Sequence, residues 1–359
     1  MINNFKKLYN YGLKDKVIEE LESNYNNYYL GRVVVEQKGL YKVITEKGEI
    51  NSRISGKLNF EGHQRSNYPA VGDWVVLDRE DYRAGEAIIH GIISRGSKLS
   101  RKAAGVKSDE QIIAANIDKV FICMALNGDF NLRRLERYTT IVWDSGATPV
   151  IVLTKSDLCE DLEMRVTEVK NISLGIEVFN ISSLTGDGIS NVIDYIKTGE
   201  TVAFIGSSGV GKSTLVNALL GYNRQDTKEV RESDSKGRHT TTYRELILIP
   251  SGGVIIDTPG MRELQLLNNI EGVEDSFKDI SNIAKDCKFY DCNHKSEPGC
   301  AVKRAIEEGI ITGERLENYF KLKKEAEYME RKMNKALASE NKKQWVKISK
   351  EAKRNKKKK

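Results

Sequence analysis

The sequence predicts three folded parts in series: a small antiparallel β-barrel, a parallel α/β sheet built around a P-loop, and a charged helical region carrying a Cys/His cluster. Three observations carry this. From Tyr29 to about Leu99, short apolar segments are punctuated by Gly and Asn, the texture of a barrel of roughly five strands. From Lys119 onward, apolar strands alternate with helical stretches, the signature of a parallel sheet covered on both faces. After about Leu267 the chain becomes helical and Lys/Glu-rich, with Cys287, Cys292, His294 and Cys300 packed into fourteen residues.

The elements follow in order. Residues 1–28 are polar and rich in Asn, Lys and Tyr, with one helical stretch around Lys14–Ser23; they form an N-terminal extension. Residues 29–100 are the barrel, with strands at Gly31–Glu36, Leu40–Ile44, Ala70–Leu77 and Ala87–Ile93. A barrel of that size is often an oligonucleotide-binding (OB) fold, and the pattern alone does not separate it from an SH3-like barrel. Residues 101–117, with Arg101, Lys102, Lys107 and Gln111, read as a polar linker. The α/β part spans 118–267, with strands at Lys119–Ala125, Pro149–Leu153, Glu177–Ile181, Thr201–Ile205 and Gly253–Ile256. Helices are expected near Asn131–Asp144, Asp161–Asn171 and Ile189–Lys197, and from Lys212 onward. Within the first of these strands, Cys123 reads as a buried small hydrophobe. Residues 268–340 form the helical Cys/His region and 341–359 a basic tail.

A chain of 359 residues, 30% charged and 39% hydrophobic, is ample for two or three domains. The net charge of +6 is unevenly placed: residues 342–359 hold ten Lys/Arg and one Glu, a local +9, which leaves −3 for the rest. Such a tail attracts nucleic acid through counterion release, or is simply a solvated end. The N-terminus leads into no apolar signal region, and no apolar run approaches the ~18 residues of a membrane span. A cytoplasmic protein without a membrane partner is therefore expected. With three of the five cysteines inside residues 287–300, a disulfide framework is not.

Gly206-Ser207-Ser208-Gly209-Val210-Gly211-Lys212-Ser213 is a full G-x-x-x-x-G-K-S loop in its required strand–loop–helix context, running on into Thr214. Glycines let backbone N–H groups approach phosphate, Lys212 reaches the β- and γ-phosphates, and the Ser213 hydroxyl is a Mg²⁺ ligand. Asp257-Thr258-Pro259-Gly260 follows an apolar strand, so Asp257 can hold Mg²⁺ through water and the Gly260 N–H can meet the γ-phosphate. Between these motifs, Lys236–Thr242 stands where a first switch belongs. Thr241 is favoured there as the Mg²⁺-binding threonine. His239 is a candidate for positioning the attacking water, or is an exposed loop histidine. Met261 occupies the place where a glutamine orients water in Ras-like enzymes, so slow intrinsic turnover and activation by a partner are expected.

Thr154-Lys155-Ser156-Asp157 ends another apolar strand. A carboxylate at Asp157 can accept from N1–H and the N2 amine of guanine, donors that adenine lacks, while the Lys155 stem lies over the ring. Asn is usual at the first position of this motif; here it is Thr154. Ile181-Ser182-Ser183-Leu184-Thr185-Gly186 matches an accessory guanine loop. The base motif thus precedes the phosphate loop, a cyclic rotation of the ordinary GTPase order. Cys287, Cys292, His294 and Cys300 offer three thiolates and an imidazole, the donor set of a closed, structural tetrahedral Zn²⁺.

The rotated motif order, the preceding barrel and the following cluster together resemble the circularly permuted GTPases of small ribosomal subunit biogenesis, the RsgA (YjeQ) family. The resemblance covers about residues 29–330. It includes Val71-Gly72-Asp73-Trp74-Val75, Ala114-Ala115-Asn116-Ile117-Asp118 and Gly237-Arg238-His239-Thr240-Thr241-Thr242. It implies an OB-fold domain, a circularly permuted P-loop GTPase domain and a helical zinc-binding domain. GTP/GDP, Mg²⁺ and one Zn²⁺ are the implied cofactors. It also implies a monomer that binds the 30S ribosomal subunit and 16S rRNA late in maturation, its hydrolysis stimulated by the subunit. Two alternatives stay open on the residues alone: a GTPase of another RNA process, and an RNA-binding module using GTP as a structural ligand.

Overall fold

Alternating apolar and polar residues let a strand bury one face and expose the other. The computed structural model describes residues 5–37, 39–61, 65–102, 110–224, 244–257, 270–328 and 331. Five strands form the barrel: β1 (Tyr29–Gln37), β2 (Leu40–Thr45), β3 (Gly48–Ile54), β4 (Trp74–Leu77) and β5 (Ala87–Ile92); β3 and β5 alternate in this way, whereas β4 is buried throughout. They lie in the order β1-β2-β3-β5-β4, and β4 pairs back onto β1 with Val75 opposite Gly31. β3 and β5 run parallel, with Ile88 opposite Arg53, and the remaining pairs are antiparallel. That closed order is the OB-fold, which settles the choice the strand pattern left open. Val33, Val43, Ile50, Val75, Leu77 and Ile89 fill its core. β3 escapes a sequence reading because its inward positions are Ile50 and Ser52, and a serine breaks the alternation.

The N-terminal segment is docked on this unit. Helix α1 (Lys6–Asn10) gives its Lys7 and Leu8 N–H groups to the Glu46 carboxylate at 3.0 and 3.3 Å, and α2 (Asp15–Asn24) buries Val17 and Leu21. A further short helix, α3 (Gly56–Glu61), follows β3. The fully buried Arg32 ties four other segments to β1. It donates to the Tyr11 carbonyl, to Thr201 Oγ1 (2.9 Å), to Asn116 O (2.9 Å) and to Gly72 O (3.1 Å), and its guanidinium lies 5.2 Å from the Trp74 ring centroid.

Residues 98–102 (β6) and 110–115 (β7) pair as a two-stranded sheet, where the sequence reads 98–100 as the end of the barrel and 101–117 as a polar linker. Its cross-strand partners are polar: Lys98 with Glu110 at 3.1 Å and Arg101 with Gln111 at 3.3 Å. Leu99 of β6 and the run Ile112–Ala115 of β7 are buried, a short apolar stretch without the two-residue alternation that marks a strand in sequence.

The α/β sheet contains β8 (Lys119–Ala125), β9 (Thr148–Thr154), β10 (Glu177–Asn180), β11 (Thr201–Ile205), β12 (Arg244–Leu248) and β13 (Val254–Asp257), ordered β10-β9-β8-β11-β13-β12. All pairings are parallel except β12–β13. Helices α4 (Leu132–Asp144), α5 (Leu162–Ile172), α6 (Ile189–Tyr195) and α7 (Lys212–Leu220) connect them. Phe121, Val152, Phe204, Leu215 and Ile255 share one core, with Phe121 stacked on Phe204 at 5.3 Å between centroids. The sheet does not stop at β12. Arg244 and Glu245 pair antiparallel with Glu36 and Val35 of β1, so one eleven-stranded sheet runs from the α/β part into the barrel.

A second compact unit holds α8 (Ile270–Ser276), α9 (Lys278–Ala284), the cysteine loop, α10 (Ala301–Glu307) and a helix over 313–328, α11. Val273, Phe277, Ile280, Val302, Leu316 and Leu322 are buried there. Arg315 and Asp279, 5% and 10% exposed, form a two-pronged ion pair at 2.7 and 2.9 Å, with the guanidinium 4.7 Å from the Phe277 ring centroid. No helix among the described residues is long and apolar enough to cross a membrane.

Candidate functional site

The phosphate loop leaves β11 at Gly206 and enters α7 at Lys212. Gly206, Gly209 and Gly211 all have positive φ (140°, 75° and 95°), and a Cβ on Gly206 would lie 2.3 Å from the Cys123 carbonyl oxygen. Only glycine passes that strand and turns there. The loop delivers its N–H groups to the start of a nine-residue helix, where anions are favoured. Lys212 Nζ is held above the loop by the carbonyls of Gly206 (2.7 Å) and Ser207 (2.5 Å). Ser213 and Thr214 follow in the first turn of α7. Asp257, 9% exposed, ends β13, the strand paired in parallel with β11. The serine hydroxyl and the carboxylate are hard oxygen donors of the kind Mg²⁺ takes. Beneath the loop, burial pushes the Cys123 thiol up to about 12, so it behaves as an inert small hydrophobe.

The base motif turns at Lys155, which is left-handed (φ 58°). Asp157 Oδ1 accepts the Ser182 hydroxyl at 2.6 Å, and the Ser156 N–H donates to Ile181 O at 3.1 Å. Ser182 Oγ in turn accepts from the Thr185 N–H at 3.2 Å, with Ser183 beside it on the same loop. Two segments 25 residues apart are thereby joined around one carboxylate. Thr154 faces the other way. Its hydroxyl, on a residue 1% exposed, donates to the Val210 carbonyl at 2.5 Å and faces that of Met124 at 3.4 Å. It therefore fastens the base motif to the phosphate loop, a contact no local sequence signal announces. His239, Thr241, Gly260 and Met261 lie outside the described residues, as does the basic tail.

In the second unit, Cys287, Cys292, His294 and Cys300 bring their ligand atoms within 4.8 Å of one another. Tetrahedral zinc, with bonds of about 2.3 Å to sulfur and 2.0–2.1 Å to nitrogen, separates ligands by roughly 3.8 Å (S···S) and 3.6 Å (S···N). Cys287 and Cys300 Sγ are 3.9 Å apart, and they lie 3.6 and 3.5 Å from His294 Nδ1. The donor set and its spacing fit one zinc ion. Burial, opposed by Glu297, lowers the His294 pKa and favours the neutral imidazole that ligation needs. Sequence reading passed over Glu297, whose carboxylate accepts the N–H groups of Asn293 (3.0 Å), Lys295 (2.9 Å) and Ser296 (2.9 Å) and so shapes the loop carrying His294.

Comparison with known proteins adds the family. The model of the RsgA GTPase family matches residues 92–267. A second model, described as 50S ribosome-binding GTPase, matches residues 201–346, starting at β11 and leaving out the base motif that here precedes it. A protein of Lactiplantibacillus plantarum named small ribosomal subunit biogenesis GTPase RsgA 2 is 50% identical over 321 residues, 89% of this chain and 90% of its own. Its counterpart RsgA 1 of Oceanobacillus iheyensis is 44% identical over 99% of both chains. Among solved structures, YjeQ from Thermotoga maritima superposes with a TM-score of 0.63 at 28% identity, covering 83% of this chain and 98% of its own. YloQ, described as a circularly permuted GTPase, gives 0.61 at 26% identity, with 85% and 96% covered.

Proposed function

The chain belongs to the RsgA GTPase family and hydrolyses GTP, and from that premise we propose that it binds the 30S ribosomal subunit late in maturation, in the cytoplasm, with turnover stimulated by the subunit. The observation that carries this is similarity over 99% of both chains to a small ribosomal subunit biogenesis GTPase.

Asp157, oriented by Ser182, reads the guanine N1–H and N2 amine; Lys155, Ser156 and Ser183 line the base, and Thr154 sets its distance from the phosphates. The N–H groups of Gly206–Gly211 surround the phosphates, and Lys212 exchanges two carbonyl partners for β- and γ-phosphate oxygens. Ser213, Asp257 and Thr241 hold Mg²⁺, which when bound neutralises charge developing between the phosphates. Gly260 meets the γ-phosphate, and His239 accepts a hydrogen bond from the attacking water. Met261 cannot orient that water, so the subunit supplies what the chain lacks. The Cys₃His site holds one structural Zn²⁺. The barrel, the zinc unit and the basic tail of this monomer contact 16S rRNA.

The test is GTP hydrolysis at fixed salt with and without small subunits, with large subunits and ATP as controls. Strong stimulation by small subunits alone is expected. Equal stimulation by large subunits, which the second family match makes a needed control, would reject the assignment of partner. His239→Ala is expected to lose most of the stimulated turnover; unchanged turnover at saturating subunits removes histidine from the mechanism.

A further inference from the structure

Glu245 and Asp257 stand directly opposite each other in the antiparallel β12–β13 ladder. Opposed residues put their side chains on one face of the sheet with Cβ atoms about 4.5–5.5 Å apart, and like charges so placed repel. Glu245 does not meet that neighbour bare. Its Oε2 is ion-paired with the Arg224 guanidinium, and the two side chains are 27% and 21% exposed. Arg224 is fixed in turn by α7: its backbone N–H donates to Asn217 Oδ1 at 3.0 Å, and Asn217 is buried. A chain of contacts thus runs from the helix that begins with Lys212 and Ser213, through Asn217 and Arg224, to Glu245, the residue facing Asp257.

We propose that Arg224 is a positioning residue for nucleotide binding, which cancels the Glu245 charge so that a second carboxylate does not add to Asp257 where the phosphates arrive. The inference rests on the assignment of Asp257 and Ser213 to the Mg²⁺–phosphate end of the site. A guanine nucleotide remains net negative with one Mg²⁺ bound. A naked Glu245 at the partly buried start of β12 raises the electrostatic cost of admitting it. The same pair fixes the spacing between α7 and the β12–β13 hairpin, so truncation and charge removal must be told apart.

The experiment is equilibrium titration of the full chain with a fluorescent GDP analogue, in Mg²⁺ and in EDTA, at low and high salt. Arg224→Met is expected to weaken binding about tenfold, more at low salt than at high. Arg224→Lys keeps the charge and is expected to bind within about threefold of the native chain, as is the double variant Arg224→Met/Glu245→Gln, which removes both charges. Glu245→Gln alone, which keeps the arginine, is expected to bind at least as tightly as the native chain. Native-like binding by Arg224→Met overturns the proposal. So does a double variant as weak as Arg224→Met, or a loss of affinity in Glu245→Gln. Asp257→Asn separates the two levels. If it abolishes the Mg²⁺ dependence, failure of the double variant to recover condemns the Arg224 role alone. If it leaves the Mg²⁺ dependence intact, the site assignment and the inference fall together.

Discussion

Thr154 stands where a longer amide is usual, and its hydroxyl is spent on the Val210 carbonyl. Thr154→Val keeps the shape and strands a buried acceptor, at a cost of about 1–3 kcal/mol. The expected outcome is a lower melting temperature and weaker GDP binding, with Thr154→Ser close to native; equal affinity in Thr154→Val would show that the link between loops is idle. Asp279 and Arg315 pose a different case, since removing one partner leaves a charge inside the second unit. Arg315→Met is expected to destabilise that unit by about 3–5 kcal/mol, measured by denaturant unfolding. At this scale the sequence was half legible. Asp157, Lys212 and Asp257 sit in short motifs whose chemistry is local. The partners of Thr154 and Glu245 lie 56 and 21 residues away, and nothing in the local pattern points to them.

The zinc loop shows how an element is held by groups that are not ligands. The Glu297 carboxylate is held down to about 2, from an ordinary 4.5, by its own backbone N–H and those of Lys295 and Asn293. With the folded pKa below the unfolded one, this support is complete above about 4.5 and is lost as pH falls toward about 2. Glu297→Gln is expected to speed zinc release to a chelator at pH 7 several-fold, because a neutral amide is the weaker acceptor. A release rate equal to the native one would leave the loop shaped by the metal alone. Zinc removal itself is expected to lower helical signal and thermal stability, since Cys300 caps the N-terminus of α10. In the phosphate loop, Gly206→Ala drives a Cβ into the Cys123 carbonyl and is expected to abolish nucleotide binding. Among the elements, strands with apolar runs, such as β8 and β11, were readable to the residue. β3, with serine facing inward, and β6 and β7, where a mostly polar strand meets a short unbroken apolar run, were not, because alternation is the signal and they lack it.

At the scale of the whole molecule, motif order told more than composition. It placed an α/β sheet after a barrel and ahead of a cysteine cluster, and the fold agrees. Sequence could not show that barrel and sheet are one hydrogen-bonded surface, because the joining strand β1 is long before it is shared. Its first half pairs with β4 and its last residues with β12, with a shift in register against β2 between Val33 and Val35 where it changes partner. Amides at Val35 and Glu36 are expected to exchange hydrogen as slowly as those of the barrel core; rapid exchange there would mean the junction opens independently of both domains.

That shared strand also sets a schedule for the newborn chain. The far end of β1 leaves the exit tunnel about two hundred residues ahead of β12, which emerges long after the barrel strands β2–β5. Until β12 arrives, Val35 and Glu36 present an open strand edge, the kind of template that recruits the wrong neighbour. The last residues of β1 are therefore the part of the barrel whose strand partner is made last.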